Sequence, residues 1–551
     1  MLVVPGTVFL GIFFGYPATL LLVKTFTEFI PPQHHGLDNL SWFFAESANV
    51  TILVRTVTIG LSVTFVTLVT GFPYAYLMTI AGRRLRMLLM TVVVASFMGS
   101  LLVRSFSWLI LLQKTGPLNS LLGTLGLHKI QLAGTSTGVV LAMSQILVPL
   151  VILPIYATLQ GIDRRVTHAA QSLGARGATT FFRILVPLSL PGILAGGFMV
   201  FVLTLGFYVT PTLVGSVQSS ILSNLTLFQV SRLAAFGRAG AISLVLIALM
   251  LIFLAIVALG SRRMLAAVGS QTATGEVEEQ WSRARKVSWS MFGFVGVVWL
   301  TVPSLTVIPM SFTANSSFAW PPHGFSFKWY EALFTESEWL SAILHTLEVG
   351  ALTTGACLVL GTGMALAMVR SRSRWIKPPV VLLYAPMVVP LIVTGVGIYA
   401  TFLEWHLVGT MTGFVLAHTV FALPFVTVTI VSSLRSLDER LDDAAASLGA
   451  GPWSRLVHVT MPNIRTGLLT AAFIAFAFSF DETVFSLFVA TAEFRTLPVE
   501  IYQGIARSSD PTVTAAATLS FVITVAGALA VCVVQLRRDR NGQFGKPRVN
   551  A

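Results

Sequence analysis

Four ionisable residues stand inside long apolar runs of the sequence: Arg104, Glu348, Asp481 and Glu482. An ionised side chain at the centre of a membrane helix costs roughly 2.5–3.5 kcal/mol on insertion scales, so such residues mark functional positions. A carboxylate can bind a cation, whereas a guanidinium can bind an anion or pair with a carboxylate. We therefore predict that these four residues line a pathway for a small polar solute.

Aromatic side chains near these positions extend the predicted pathway. Trp108, Tyr208 and Tyr399 could bind an ammonium group through cation–π contacts. They are also typical of aromatic residues at a membrane interface. For Arg104 and Asp481 the alternative is an internal ion pair that only holds helices together.

Position along a straight helix gives an expected depth for three of the charges. At 1.5 Å per residue, Arg104, Asp481 and Glu348 lie about 12, 14 and 10 Å from the outer ends of their spans. All three then fall in the outer half of the membrane. Asp481 and Glu482 are neighbours and point about 100° apart on a helix, so at most one faces the pathway squarely.

Signatures of catalysis and of metal binding are missing from the sequence. Neither the phosphate-binding motif GxxxxGK[ST] nor the zinc motif HExxH occurs. The stretch GTSTG at 134–138 matches GxSxG, but it enters an apolar run and does not join a strand to a helix. Cys357 and Cys532, the two cysteines, lie in apolar runs, which excludes a disulfide framework and a cysteine metal cluster. We predict no catalytic residue, no metal and no cofactor in the chain.

The composition is that of a membrane protein. Of 551 residues, 55% are apolar and 10% are charged, against about 25% charged in soluble domains. This excludes a soluble enzyme, a disordered protein and a nucleic-acid-binding domain. Twelve stretches are long and apolar enough to span a bilayer. They are 2–23, 52–81, 87–112, 136–160, 191–214, 240–260, 288–311, 341–369, 378–403, 410–432, 466–490 and 513–536.

Lysine and arginine predict the orientation of these spans. With both termini inside, the cytoplasmic segments hold 25 of the 35 basic residues. Those segments are 82–86, 161–190, 261–287, 370–377, 433–465 and 537–551. Most of the formal charge of +13 is therefore explained by basic residues on the cytoplasmic side, and it does not indicate an anionic substrate.

The chain contains an internal repeat. Residues 159–187 align without gaps with 434–462 at an offset of 275, with ten of 29 positions identical, and a fainter match upstream has an offset of 290. Two copies in the same orientation predict a parallel repeat about an axis along the membrane normal. We predict a first half at 1–264, a cytoplasmic linker at 265–287 and a second half at 288–551.

The strongest match lies in two cytoplasmic loops, 161–190 and 433–465. Asp163 and Asp438 are positioned to cap a short helix, and Gly174 and Gly449 to end it. Loops usually vary more than the helices they join, so a duplicated loop indicates a shared partner. The alternative is a pair of amphipathic loops that merely seal the bundle.

These loops resemble the EAA loop of the permeases of ABC importers, in which Glu-Ala-Ala and a glycine precede a Leu-Pro at fixed spacing. The sequence has HAAQSLG at 168–174 with ILVP ending at 187, and DAAASLG at 443–449 with VTMP ending at 462. His168 and Asp443 replace the usual glutamate. By this resemblance the loops dock into an ATPase subunit, and we call them coupling loops. The implied coupling residues are His168, Ala169, Ala170, Gly174, Asp443, Ala444, Ala445 and Gly449.

The resemblance extends over most of the chain. LVRSFSW at 102–108 and GFYVTPTLVG at 206–215 are similar to the first permease of spermidine/putrescine-type importers. SFDETVFSLF at 479–488 is similar to the second. Phe207 is apolar where the first permease usually has an acidic residue. Related permeases carry polyamines, opines, 2-aminoethylphosphonate, thiamine or ferric iron.

The resemblance implies a fold, a function and partners. The expected fold is all-α, with twelve transmembrane helices in two six-helix halves, as in type I ABC importer permeases. The expected function is binding-protein-dependent import of a small cationic solute, such as a polyamine, across the bacterial inner membrane by alternating access. The expected partners are two copies of an ATPase subunit, which bind ATP and Mg, an external substrate-binding protein and lipid, but no nucleic acid. Two hypotheses compete with this one. The first is an ion-coupled secondary transporter. The second is an intramembrane enzyme, for which the sequence has no credible set of catalytic residues.

Overall fold

The computed structural model describes residues 2–29, 36–265, 283–318, 320–371, 373–507 and 510–543. Across these ranges the chain is built of helices, and its β-structure is a single bridge between Thr313 and Phe325. The predicted all-α fold is confirmed. Apart from its two ends, the predicted linker 265–287 lies outside the described residues.

Counted with each bent pair of helices as one span, the described residues contain twelve helical spans, which correspond to the twelve predicted apolar stretches. In the described residues seven of them are unbroken, and five are pairs of helices that meet at a bend of more than 40°. The unbroken spans are Val4–Thr27, Ser47–Ile80, Phe236–Gly260, Met291–Met310, Ser337–Arg370, Met411–Arg435 and Thr512–Ala530. The bent pairs are Arg83–Met98 with Leu101–Thr124, Ser136–Leu147 with Pro149–Gln160, Phe181–Leu188 with Leu190–Gly206, Lys377–Val388 with Leu391–Glu404, and Pro452–Asn463 with Arg465–Phe480.

Shorter helices lie between the spans or form part of the bent ones. They are Asp38–Ala45, Pro117–Thr124, Arg164–Ser172, Gly177–Thr180, Val209–Val214, Val217–Ser219, Leu222–Leu233, Lys328–Thr335, Arg374–Ile376, Glu439–Ser447, Pro452–Arg455, Val484–Val489 and Leu497–Ala506.

Two bends correct the expectation of straight spans over 87–112 and 378–403. The helices on either side of Gly99 and Ser100 meet at 96°, and the matching pair in the second half meets at 105°. Ser100 accepts a hydrogen bond from the Val103 N–H as the new helix begins, and Pro390, which has no N–H, takes the same place in the second half. Because Arg104 follows such a bend, the straight span from which its depth was calculated is absent, and the depth itself stays a prediction.

Both halves have the same order of helices. Ser47–Ile80 and Ser337–Arg370 each have 34 residues and lie 290 residues apart. Arg164–Ser172 and Glu439–Ser447 each have nine and lie 275 apart. These are the two offsets found in the sequence, so the predicted repeat is confirmed.

A buried hydrogen bond is repeated at the same places. The Thr56 hydroxyl accepts from the Leu222 N–H at 2.9 Å, and the Thr346 hydroxyl accepts from the Leu497 N–H at 2.7 Å. In both halves the bond satisfies an N–H at the start of a helix, which has no partner within that helix. The repeat therefore includes side-chain contacts as well as the order of helices.

The chain divides into two compact units. We call Thr25–Ser326 the central unit, and Met1–Lys24 together with Phe327–Ala551 the terminal unit. Each has its own apolar core, with Val63 and Val151 fully buried in one and Met364 and Val426 fully buried in the other. The predicted halves, 1–264 and 288–551, describe the sequence repeat, whereas each compact unit contains the first span of the other half.

Within the terminal unit the first span packs closely on later helices. Tyr16 stacks on Trp405 with ring centroids 5.7 Å apart, and Lys24 forms a 3.2 Å ion pair with Glu404. A Cβ atom built at Gly397 would lie 2.8 Å from the Pro17 carbonyl oxygen. Glycine is therefore needed at 397 for this approach of the two backbones.

In the central unit the span Met291–Met310 packs in the same way. Gly296 lies against the ring of Tyr74, where a Cβ atom would come within 2.6 Å, and Gly293 lies against Leu77. The Tyr74 hydroxyl donates to the Leu89 carbonyl at 3.1 Å, which holds the ring in place. Small residues thus allow close helix contact in both units, as is common in membrane proteins.

The first prediction concerns the contact at Gly397. We expect Gly397→Leu to lower the melting temperature of the purified protein in detergent, because its side chain must displace the Pro17 backbone; overpacking of this kind costs about 1–3 kcal/mol. Gly355→Leu is the matched control, since nothing lies within 4 Å of a Cβ atom there. An equal loss of stability in the two variants would contradict the predicted role of this contact.

Candidate functional site

Each coupling loop begins with a capped nine-residue helix. The Asp163 carboxylate accepts a hydrogen bond from the Arg165 N–H at 2.8 Å, and the Asp438 carboxylate accepts one from the Arg440 N–H at 3.0 Å. The carboxylates also lie at the positive end of the helix dipole. The two predicted caps are confirmed.

Each of these helices ends on a glycine in the left-handed conformation. Gly174 has φ +85° and Gly449 has φ +83°. One residue further on, an N–H donates to the carbonyl five residues back, at 3.0 Å in both loops. This pattern is the Schellman motif, which strongly favours glycine because other residues are strained at positive φ. The predicted helix ends are confirmed.

The leucine before each glycine points away from the protein. Leu173 is 89% exposed and Leu448 is 88% exposed. Single exposed leucines are common on protein surfaces, but here two occupy the same place on two copies of one motif. Each leucine therefore forms a small apolar surface on its coupling loop, and nothing in the described chain covers it.

The predicted coupling residues occupy equivalent places in the two helices. His168 and Asp443 are each the fifth residue of their helix, and Asp443 is exposed. Ala169 and Ala444 are also exposed. Ala170 and Ala445, next along the chain, are half-buried in both loops. The assignment of these residues to an ATPase contact stays a prediction.

In the central unit the predicted pathway residues are held by hydrogen bonds. Arg104 is buried and donates to the Ile146 carbonyl at 3.1 Å. The Trp108 indole donates to the Gln145 side-chain oxygen at 3.1 Å, and the Gln145 amide donates to the Leu300 carbonyl at 3.1 Å. Arg104 and Trp108 are therefore fixed through neighbouring residues, 145 and 146, of one helix.

Another predicted residue of this unit stands at a break in the chain. Tyr208 is buried and lies between the helices Leu190–Gly206 and Val209–Val214. Beside it, the hydroxyls of Ser105 and Thr210 are 2.7 Å apart. The expectation of a straight span over 191–214 is thus also wrong, as it was for 87–112 and 378–403.

The second half has the same break, and acidic residues occupy it. Helix Arg465–Phe480 ends before Asp481, and helix Val484–Val489 begins after Thr483. The expectation of a continuous helix over 466–490, from which Asp481 and Glu482 would point apart, is therefore wrong. The depth calculated for Asp481 stays a prediction. Both acidic residues lie in the break.

Glu482 belongs to a buried polar cluster that the sequence did not predict. Its carboxylate accepts hydrogen bonds from the N–H groups of Phe485, at 2.9 Å, and Ser486, at 2.8 Å. The His418 imidazole contacts the hydroxyls of Ser479 and Ser486 at 2.8 and 2.9 Å, and its Nε2 lies 3.5 Å from the Glu482 carboxylate. All of these groups are buried. Glu482 therefore fixes the start of the short helix and the shape of the break.

Asp481 and Glu348 are placed differently from Glu482. Asp481 is half-buried at the end of its helix, while Glu348 is exposed on the long helix Ser337–Arg370. Of the two neighbouring carboxylates, Asp481 is thus the more accessible. A signal for the cluster did exist in the sequence, because His418 is an ionisable residue within the predicted span 410–432.

Comparison with known proteins decides the class of the chain. The family model for the binding-protein-dependent transport system inner membrane component matches residues 68–266 and 357–539. The chain belongs to this family. Since the model matches twice, the chain is a fused permease with two copies of the family domain in one polypeptide.

Three curated relatives are permeases of polyamine systems. The spermidine/putrescine transport system permease protein PotC of Haemophilus influenzae is 31% identical over 239 residues, 43% of this chain and 91% of the relative. PotB of the same system and organism is 32% identical over 194 residues, 34% of this chain and 68% of the relative. The putrescine transport system permease protein PotI of Escherichia coli is 30% identical over 233 residues, 41% of this chain and 82% of the relative.

Membership in this family confirms the predicted family resemblance, the all-α membrane fold and the class of transport protein. The chain is a multi-pass inner-membrane permease of a binding-protein-dependent importer, and as a translocation subunit it is not an enzyme. Among the residues that the structure describes, no group of three or more His, Cys, Asp or Glu side chains could hold a metal ion.

Proposed function

We propose that this permease imports a small cationic solute, such as a polyamine, by ATP-driven alternating access. One observation carries the proposal: the two coupling loops repeat the same cap, the same left-handed glycine and the same exposed leucine. A repeated surface of this kind suits two copies of one partner. An ion-coupled secondary transporter has no need of it.

The proposed partners are two copies of an ATPase subunit, one on each coupling loop. ATP and Mg bind to those subunits, because the sequence of the permease contains no phosphate-binding motif. Closure of the ATPases on ATP brings the loops together and opens the pathway outward, where a substrate-binding protein delivers the solute. Hydrolysis returns the pathway to the inward-open state. This scheme requires cytoplasmic loops and, with the predicted topology, cytoplasmic termini.

The proposed substrate class follows from the residues at the break and from the relatives. A half-buried carboxylate at Asp481, beside the fixed Glu482, suits a cation. Trp108, Tyr208 and Arg104 of the central unit, and Glu348 of the terminal unit, stay the other proposed pathway residues. The three relatives named above are polyamine permeases, which supports putrescine or spermidine as the solute.

The test is uptake by proteoliposomes that contain the permease with its ATPase, supplied with its binding protein. We expect radiolabelled putrescine or spermidine to accumulate only when ATP and the binding protein are both present. Accumulation driven by an ion gradient without ATP would overturn the importer mechanism. Uptake of an aminophosphonate, opine, thiamine or ferric iron in place of a polyamine would overturn the proposed substrate and leave the mechanism standing.

A further inference from the structure

The second coupling loop contains a carboxylate held between two arginines. The Asp442 carboxylate accepts a hydrogen bond from Arg455 at 3.1 Å through one oxygen, and from Arg370 at 3.4 Å through the other. The same nitrogen of Arg370 donates to the hydroxyl of Thr460 at 2.8 Å. We call these four residues the Asp442 cluster.

This cluster joins three parts of the terminal unit. Arg370 is the last residue of the 34-residue helix Ser337–Arg370. Asp442 lies in the helix Glu439–Ser447 of the coupling loop, and Arg455 ends the short helix after its glycine turn. Through Asp442, both arms of the loop are therefore connected to the long helix Ser337–Arg370 of the second half.

The first half has no charge at any of the four equivalent positions. At the offsets of the repeat, Arg370 corresponds to Ile80 and Asp442 to Thr167. Arg455 and Thr460 correspond to Thr180 and Leu185. The first coupling loop nevertheless has the same helix length, the same cap and the same glycine turn. The cluster is thus not required for the loop to fold.

Stability does not explain the cluster either. The side chains of Arg370, Asp442 and Arg455 are 42%, 21% and 24% exposed, and ion pairs this open to water contribute little to folding. Two planar guanidinium groups on one carboxylate do, however, fix the relative orientation of the segments that carry them. The observations favour a role in transmitting movement.

We propose that Asp442 is a positioning residue that makes the second coupling loop and helix Ser337–Arg370 move as one body. The first coupling loop lacks the four residues of the cluster, so its connection to helix Ser47–Ile80 does not include this link. The two ATPase subunits are identical, but they are then connected to the permease helices differently, one through the Asp442 cluster and the other without it. This inference rests on the proposed function, because it assumes that the coupling loops bind an ATPase.

The test measures the number of solute molecules transported per ATP hydrolysed by the reconstituted complex. We expect Asp442→Asn and Arg455→Gln each to lower this ratio by about fivefold or more, while ATPase association and basal hydrolysis stay unchanged. The double variant should be no worse than either single variant, because both remove the same interaction. Asp442→Glu should restore most of the ratio. Arg84→Gln, at an exposed arginine outside both coupling loops, is the control for loss of charge.

Three results would overturn the proposal. A wild-type ratio in Asp442→Asn would show that the loop needs no such link. Loss of ATPase association in that variant would make Asp442 a docking contact, and additive losses in the double variant would mean that the two residues act separately. If the wild-type permease itself fails to bind an ATPase, it is the proposed function that fails, so the two failures are distinguishable.

Discussion

Replacing Leu173 and Leu448 together by serine is expected to abolish copurification of the ATPase with the permease. Each leucine is almost fully exposed, so it is available to be buried by a partner. Burial of a leucine side chain contributes about 1.5–3 kcal/mol. Each ATPase copy therefore loses about 10- to 100-fold in affinity for its own coupling loop, since 1.4 kcal/mol corresponds to tenfold.

The double variant should fold like the wild type, because neither leucine packs against the rest of the described chain. Val217→Ser is the matched control: Val217 is also 89% exposed, but it lies on a segment predicted to face outward. It should leave ATPase copurification unchanged. Copurification is measured on membranes with equal amounts of permease. If the ATPase copurifies with the Leu173→Ser, Leu448→Ser double variant as it does with the wild type, docking through these loops is refuted.

Asp481→Asn is expected to reduce uptake by at least about 100-fold while the complex still assembles. Asparagine keeps the shape of the side chain but removes the charge that is proposed to attract a cation. In a site that is partly shielded from water this attraction is much stronger than in solution. The measurement is radiolabelled putrescine uptake at saturating ATP, together with the amount of ATPase that copurifies.

Two comparisons make the Asp481 result specific. Glu46→Gln neutralises an exposed carboxylate before the span Ser47–Ile80 and should leave uptake unchanged. A thermal unfolding curve of Asp481→Asn that matches the wild type would separate loss of transport from loss of structure. Normal uptake by Asp481→Asn would remove the carboxylate from the proposed pathway.

The number of spans and their duplication could be predicted from the sequence, because the first depends on hydropathy along the chain and the second on identical residues at a fixed offset. Hydropathy detects any run of about 20 apolar residues, and the offsets of 275 and 290 are visible in identical residues. Bends are harder to predict, because an apolar run continues through them. Ser100 and Pro390 mark two of the breaks, but serine and proline also occur within unbroken membrane helices such as Met411–Arg435, which contains Pro424.

The candidate site was predicted in part for a similar reason. Asp163, Asp438, Gly174 and Gly449 act on their own local backbone, so their roles could be read from neighbouring residues. The buried polar cluster joins His418 to Ser479 and Ser486, which are more than 60 positions away. His418 stands out in the sequence as an ionisable residue, but no local pattern shows which residues it contacts. Glu482 was therefore assigned to the pathway without its buried partners.

The position of the first span in the terminal unit has a consequence for biosynthesis. Helix Ser337–Arg370, which belongs to that unit, emerges from the ribosome roughly 310 residues after Met1–Lys24. At a translation rate of about 5–20 residues per second, the first span is made roughly 15–60 s before the helices against which it packs. During that interval lipid, or an insertion factor, must cover the surface that later contacts Gly397 and Trp405. Fusion of the two halves means that each waiting helix and its partners come from the same messenger and are made in equal numbers.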